Sequence, residues 1–147
     1  MKTCAITFTV PGTPEGKGRP RFNGASGRTY TPKKTREYEA RVRACAEAAL
    51  QGAEWPEPRK DGVWYTVQIT AHFKLAKSLT KRRLKSLLER VAYTSRPDID
   101  NVSKAIVDAL NGVAYKDDAQ VSVLVCEKRY TQDEARVDVD IIAHVEE

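Results

Sequence analysis

The sequence predicts an α/β (α+β) domain, a mixed sheet of about four strands with helices packed on one face. Two observations carry this. Apolar residues alternate with period two near the start, in the middle and twice at the end, and between these runs they recur three or four apart. The resulting order is strand, helix, strand, basic helix, helix, strand, strand, which is that of a mixed sheet covered by helices. The 147 residues, 41% apolar and 31% charged, suit one core and hence a single domain over 1–147.

Ala5 to Val10 alternates and stops at Pro11-Gly12, as a half-buried strand before a turn does. Residues 12–32 are a basic loop of glycine, proline, Lys and Arg, with Phe22 and Tyr30 interleaved and no helical or strand period. Thr35 to Ala49 is an amphipathic helix with Tyr38, Val42, Cys45, Ala46, Ala49 and Leu50 spaced three or four apart, ending near Gly52. After a connector with Pro56, Pro58 and Gly62, Val63 to Leu75 is a longer strand with Val63, Tyr65, Val67, Ile69, Ala71 and Phe73 on one face. Ser78 to Val91, within a basic helical insertion over 77–93, sets Leu84, Leu87, Leu88 and Val91 on one side and Lys81, Arg82, Arg83, Lys85 and Arg90 around it. Asp98 to Leu110 is a helix that buries Ile99, Val102, Ile106, Ala109 and Leu110, with Gly112 as its stop. Val121 to Tyr130 and Ala135 to Val145 are the closing strands, joined by the turn Thr131 to Glu134.

No 18 apolar residues run together, which excludes a membrane span, and residues 1–10 lack the continuous apolar stretch of an export signal. A soluble, cytoplasmic protein is expected. Cys4, Cys45 and Cys126 lie too far apart in sequence for a zinc site and read as small apolar residues rather than nucleophiles. His72 and His144 read as surface or satisfied structural groups, and Trp55, Trp64, Tyr65 and Phe73 as packing residues. Residues 1–60 hold 12 Lys/Arg against 6 Asp/Glu, whereas residues 61–147 hold 13 against 14. A basic front half points to an anionic partner, nucleic acid first, although an ordinary solvated surface has the same balance.

Arg96-Pro97-Asp98-Ile99-Asp100-Asn101-Val102-Ser103-Lys104 places two carboxylates, an amide and an amine at the start of one helix. At ~100° per residue Asp100, Lys104 and Asp108 form a stripe, with Asp98 and Asn101 beside it. An N-cap and surface ion pairs account for the same residues without any chemistry. A second acidic cluster, Tyr115-Lys116-Asp117-Asp118-Ala119-Gln120, precedes a strand. The helix is ~18 Å long and seven extended residues span up to ~24 Å, so the two clusters can meet if residues 111–117 run back along the helix. Carboxylates so gathered are tolerable around a hard divalent cation, which Mg²⁺ chemistry on a phosphodiester would use.

These residues, with Asp108-Ala-Leu-Asn-Gly112 and Asp117-Asp118-Ala-Gln120, resemble the signature of the RusA-type Holliday junction resolvases, endodeoxyribonucleases often carried by phages and prophages. The core likeness covers Arg96 to Gln120, and a weaker one over the flanking strands and Gly16-Lys-Gly-Arg-Pro-Arg-Phe22 extends it to most of the chain. The resemblance implies a RusA-like homodimer that cuts two opposed strands of a four-way junction with Mg²⁺, Mn²⁺ being able to substitute. It assigns Asp98, Asp100 and Asp118 to the metal and Lys104 to catalysis. Asn101 and Asp117 stand behind them, and Asp108 holds Lys104 in place. No small-molecule cofactor and no membrane partner are expected. Phosphate contacts are expected from Lys17, Arg19, Arg21, Arg28, Lys33 and Lys34, and from Lys81, Arg82 and Arg83 of the insertion. Two other readings remain at this point: a DNA-binding accessory protein that does not cut, and a Mg²⁺-dependent nuclease for flaps or other branched DNA.

Overall fold

The computed structural model describes residues 1–59, 61–90 and 92–146. Its elements are β1 (Lys2–Pro11), β2 (Arg21–Asn23), β3 (Arg28–Tyr30), α1 (Lys33–Leu50), β4 (Val63–Lys74), α2 (Lys81–Arg90), α3 (Ile99–Ala109), a single 3-10 turn (Asp118–Gln120), β5 (Val121–Thr131) and β6 (Arg136–Val145). Four strands form one sheet in the order β1-β6-β4-β5, while β2 and β3 pair separately as a hairpin. β6 is antiparallel to both of its neighbours, and β4 and β5 are parallel. A parallel pair needs a crossover, which α2, α3 and their connectors supply.

Alternation sorts the sheet into a buried and an open face. Val63, Tyr65, Val67, Ile69, Ala71 and Phe73 of β4 are buried, as are Ile6, Phe8 and Val10 of β1 and Val137, Val139, Ile141 and Ala143 of β6. Tyr38, Val42 and Ala46 of α1 and Val102, Ala105, Ile106 and Ala109 of α3 complete that core. The Tyr38 hydroxyl, desolvated there, has its pKa pushed up to about 12. On the open face Thr7 donates to Asp140 at 2.6 Å and Thr9 to Asp138 at 2.8 Å. His72 bonds Asp138 at 3.0 Å, and His144 bonds Thr66 at 3.0 Å while stacking on Trp64 at a centroid distance of 3.7 Å. Both histidines are thus satisfied structural groups, as the sequence leads one to expect.

Three local expectations are corrected. Residues 12–32 contain the β2–β3 hairpin, which turn chemistry rather than apolar period creates. Asn23 Oδ1 accepts from the amides of Ala25 and Ser26, and Gly27 adopts a φ of 69°. The basic helix begins at Lys81, after Thr80, whose Oγ1 accepts from Arg83 N at 3.2 Å as a cap does. Val91 lies outside the described residues, as do the side chains of Leu88 and Arg90. Ile99 is 45% exposed, because the buried stripe of α3 begins one turn further in, at Val102.

All three cysteines are free and half-buried, and burial pushes the Cys126 thiol up to about 11, away from nucleophilic use at neutral pH. Among the described residues no helix is long and apolar enough to cross a membrane. Tyr65 is fully buried, and its hydroxyl takes no hydrogen bond among the described residues. A buried unsatisfied hydroxyl costs ~1–3 kcal/mol, so Tyr65→Phe is expected to leave stability unchanged or raise it by about 1 kcal/mol. A chemical-denaturation midpoint checks this, and a drop of ~1 kcal/mol or more contradicts it.

Candidate active site

Asp98 occupies the N-cap of α3 with φ −66° and ψ 148°, yet its carboxylate makes no capping hydrogen bond. Asp98, Asp100, Asn101 and Lys104 are all exposed, and Lys104 makes no ion pair among the described residues. The backbone leading into this turn is pinned from two sides. Lys128 Nζ of β5 donates to Ser95 O at 2.8 Å and Pro97 O at 2.7 Å, and Tyr93, stacked on Phe73 at 3.8 Å, donates its hydroxyl proton to Arg96 O. From the front loop, Lys17 N donates to Asn101 O at 2.9 Å. Gly16 lies so close that a Cβ there would come within 3.0 Å of Pro97 Cβ and 3.2 Å of Asn101 Cβ. A side chain at position 16 would press on both residues, so glycine suits this close approach of the loop to the acidic turn.

The other acidic cluster sits at the opposite end of α3. Val113 N and Ala114 N both donate to Leu110 O, Gly112 N donates to Tyr115 O at 2.8 Å, and the Tyr115 hydroxyl donates to Val107 O at 2.5 Å. These bonds fold residues 110–115 against the last turns of α3. Asp117 then caps the 3-10 turn, accepting from Ala119 N at 2.9 Å, and Gln120 Oε1 accepts from Lys116 N and Asp117 N. Gln120 Nε2 ties the turn to the start of β4 by donating to Val63 O at 3.2 Å. The Asp118 carboxyl is raised above the usual carboxylate range by burial first, then by hydrogen bonds with Asp117 and Asp108 and by their negative charge.

Asp108, ten residues beyond Asp98, lies ~15 Å along the helix from it. The connector therefore does not run back along α3, because its residues are used in the tight turn. Among the described residues no three His, Cys, Asp or Glu side chains gather to hold a metal, and one chain does not bring Asp98, Asp100 and Asp118 together. Asp108 pairs with Lys17 at 3.5 Å, not with Lys104 as the helical spacing led one to expect. Lys17 also pairs with Glu39 at 2.5 Å, and its side chain is only 18% exposed. It thus links the loop to α1 and α3 rather than facing solvent. Arg19, Arg21, Arg28, Lys33, Lys34, Lys81, Arg82 and Arg83 are all exposed. A cleft of about 560 Å³ lies between the loop and the lead-in to α3, with Gly16, Gly18, Arg19, Arg21, Lys34 and Pro97 among its walls.

The family model described as endodeoxyribonuclease RusA matches residues 11–142. That run holds both acidic turns, the basic loop and both helices that cover the sheet. The chain belongs to the RusA endodeoxyribonuclease family. It is also 33% identical over 141 residues to the uncharacterized protein YqaN of Bacillus subtilis (strain 168), covering 92% of this chain and 94% of that one. RusA-family membership makes cleavage within DNA the activity to be explained, and α3 carries acidic side chains at both of its ends. Two residues that shape the site escaped the sequence reading. Lys128 gave no signal, being one charge in an alternating strand, whereas Gly16 stood in plain view within a Gly-Lys-Gly run that reads only as part of a basic loop. In the folded chain that run is fastened: Gly18 N donates to Thr35 Oγ1 at 3.1 Å and Lys17 N to Asn101 O of α3.

Proposed function

We propose that this chain is a Mg²⁺-dependent endonuclease that resolves four-way DNA junctions by paired cuts as a homodimer, each site combining Asp98 and Asp100 of one subunit with Asp118 of the partner subunit. The observation that carries this reading is the free edge of β5. β5 ends the sheet, and Val123, Leu124 and Val125 are 43%, 47% and 43% exposed in succession on it. An uncharged apolar edge strand is a template for another strand. Tyr93 N donates to Lys128 O, and Ala92 bridges Arg129, so the edge is already covered at 128–129 and open ahead of them. Backbone groups of alternate residues point outward, which with Lys128 selects Cys126, Leu124 and Ser122. A two-fold antiparallel pairing centred on Leu124 uses those groups and matches Val121 of each strand to Glu127 of the other. It carries the partner's Asp118, three residues before Val121, past Glu127 toward Lys128 and thus toward Pro97 and Asp98. A twofold enzyme then meets a twofold substrate.

The all-oxygen donor set suits Mg²⁺, a hard cation that would be held by these carboxylates and complete its shell with water and phosphate oxygen. Mn²⁺ suits the same hard ligands. When bound, the ion supplies a nucleophilic hydroxide and neutralises charge on the attacked phosphate. Asp98 and Asp100 orient such an ion from a turn fixed by Lys128 and Lys17, and Lys104, one turn on, stabilises the added negative charge with its ammonium. Asn101 holds Lys17 N through its carbonyl, while Asp117 and Asp108 fix the approach of Asp118. Arg19, Arg21 and Lys34 lining the cleft, Arg28 of the hairpin and Lys33 at the start of α1, together with Lys81, Arg82 and Arg83 on α2, position the DNA through its phosphates.

A junction-cleavage assay with and without Mg²⁺ tests the proposal, with a flap substrate in competition. Paired cuts that need the metal and favour the junction are expected. Binding without metal-dependent cutting would leave a DNA-binding accessory protein, and preferred cutting of the flap would leave a different branched-DNA nuclease. Arg19→Ala with Arg21→Ala is expected to weaken junction binding and reduce the slope of log affinity against log salt by ~2, about 0.9 per lost phosphate contact. An unchanged slope removes the loop from the interface.

A further inference from the structure

We propose that the β2–β3 hairpin is a stacking wedge, with Phe22 taking the face of an unpaired base at the branch point; the inference rests on the junction reading above and names what recognises the branch. Phe22 is 68% exposed and Tyr30 48%, and residues 21–30 are exposed throughout. The ring of Phe22 therefore adds nothing to the core. Arg21 lies opposite Tyr30, Phe22 opposite Thr29 and Asn23 opposite Arg28. Because side chains alternate across the strands, Arg21, Arg28 and Tyr30 share one face and Phe22 stands on the other. One face is thus cationic, and the opposite one presents a bare aromatic ring.

The surroundings favour nucleic acid as the occupant. Residues 18–36, beyond the ion-paired Lys17, contain six Lys/Arg and no Asp or Glu. Phosphates complement that charge, while a base offers its π-face to the ring whatever its identity. In an intact duplex those faces are already stacked within the helix, and exposing one costs a few kcal/mol, least where pairing is broken. A wedge of this kind therefore rewards branched DNA over linear DNA.

The hairpin is also held stiffly enough to aim the ring. Gly27 N donates to Asn23 O at 2.9 Å alongside the Asn23 side-chain bonds, which closes the tip. At the base, Gly18 N is bonded to Thr35 and Lys17 N to Asn101 O, so the hairpin is fastened to the first turns of α1 and α3. Phe22 lies five residues beyond Lys17, a reach of at most ~18 Å at ~3.6 Å per residue, or about five base steps from the turn that carries Asp98 and Asp100.

The experiment measures binding to a four-way junction and to linear duplex without divalent metal, with 2-aminopurine at the branch point as a stacking probe. Phe22→Ala is expected to lose roughly tenfold in junction affinity and to leave duplex affinity unchanged. Phe22→Leu, which keeps apolar bulk without a π-face, should behave like Phe22→Ala, and Phe22→Trp should retain wild-type discrimination and the fluorescence change. Unchanged discrimination in Phe22→Ala, in a protein that still cuts junctions with Mg²⁺, overturns the wedge and leaves the nuclease reading intact. Phe22-dependent discrimination in a wild-type protein that never cuts supports the wedge and overturns the nuclease reading instead.

Discussion

Asp98→Asn and Asp118→Asn are each expected to reduce junction cleavage by at least about a thousandfold while junction binding persists or tightens. A divalent cation held by these acids would contribute several kcal/mol of transition-state stabilisation by activating water and neutralising phosphate charge, and each ~1.4 kcal/mol is tenfold in rate. Binding survives because an amide keeps the shape of the acid and removes a charge that repels phosphate. Neither change threatens the fold. Asp98 is exposed and makes no capping bond, and the Asp118 carboxyl is held among like charges that an amide would relieve. The sharper result comes from mixing the two variants. In a mixed dimer with sites shared between subunits, one site carries both substitutions and the other carries neither. Random exchange then restores about a quarter of the wild-type sites, each nicking a single strand without its paired cut. Sites built within one chain would leave every site of the mixed dimer defective, so no recovery in a nicking assay on mixed subunits sinks the shared site.

The fold was legible because burial follows period. The six alternating residues of β4 are all buried, and Tyr38, Val42 and Ala46 mark the buried face of α1 as the spacing requires. The hairpin was not legible, since a fully exposed two-stranded ribbon has no apolar period and its tip is set by turn residues such as Asn23 and Gly27. At the site, residue types and spacing picked out both acidic turns and Lys104. What they could not give was the path between the turns: whether residues 111–117 extend or fold depends on Tyr115 reaching Val107 O, a tertiary contact. The same limit applies to Lys17, which composition read as a solvent-facing cation. The structure pairs it with Glu39 and Asp108, partners far from it in sequence. The free edge of β5 was invisible for a further reason: Val121, Val123 and Val125 look alike in sequence whether a strand lies mid-sheet or at its border.

Leu124→Lys is expected to leave the proposed dimer as monomers and to abolish cutting with it. In a two-fold pairing centred on Leu124 the residue faces its own copy, so a single substitution sets two ammonium groups side by side in place of two apolar side chains. Like charges directly opposite are destabilising, and the apolar area of Val123, Leu124 and Val125, exposed in the lone chain, is no longer removed from water. A second pair of variants distinguishes this register from any other loss of stickiness. About that axis Val123 lies opposite the partner's Val125. Val123→Lys with Val125→Glu therefore places opposite charges across the interface twice and should retain the dimer and its cutting. Val123→Lys with Val125→Lys places like charges there and should behave as Leu124→Lys does. Sedimentation gives the mass and a junction assay gives the activity of each variant. Dimers that survive Leu124→Lys, or a Lys/Glu variant as monomeric as the Lys/Lys one, would show that β5 does not pair about Leu124 and would leave Asp118 without its route to Asp98.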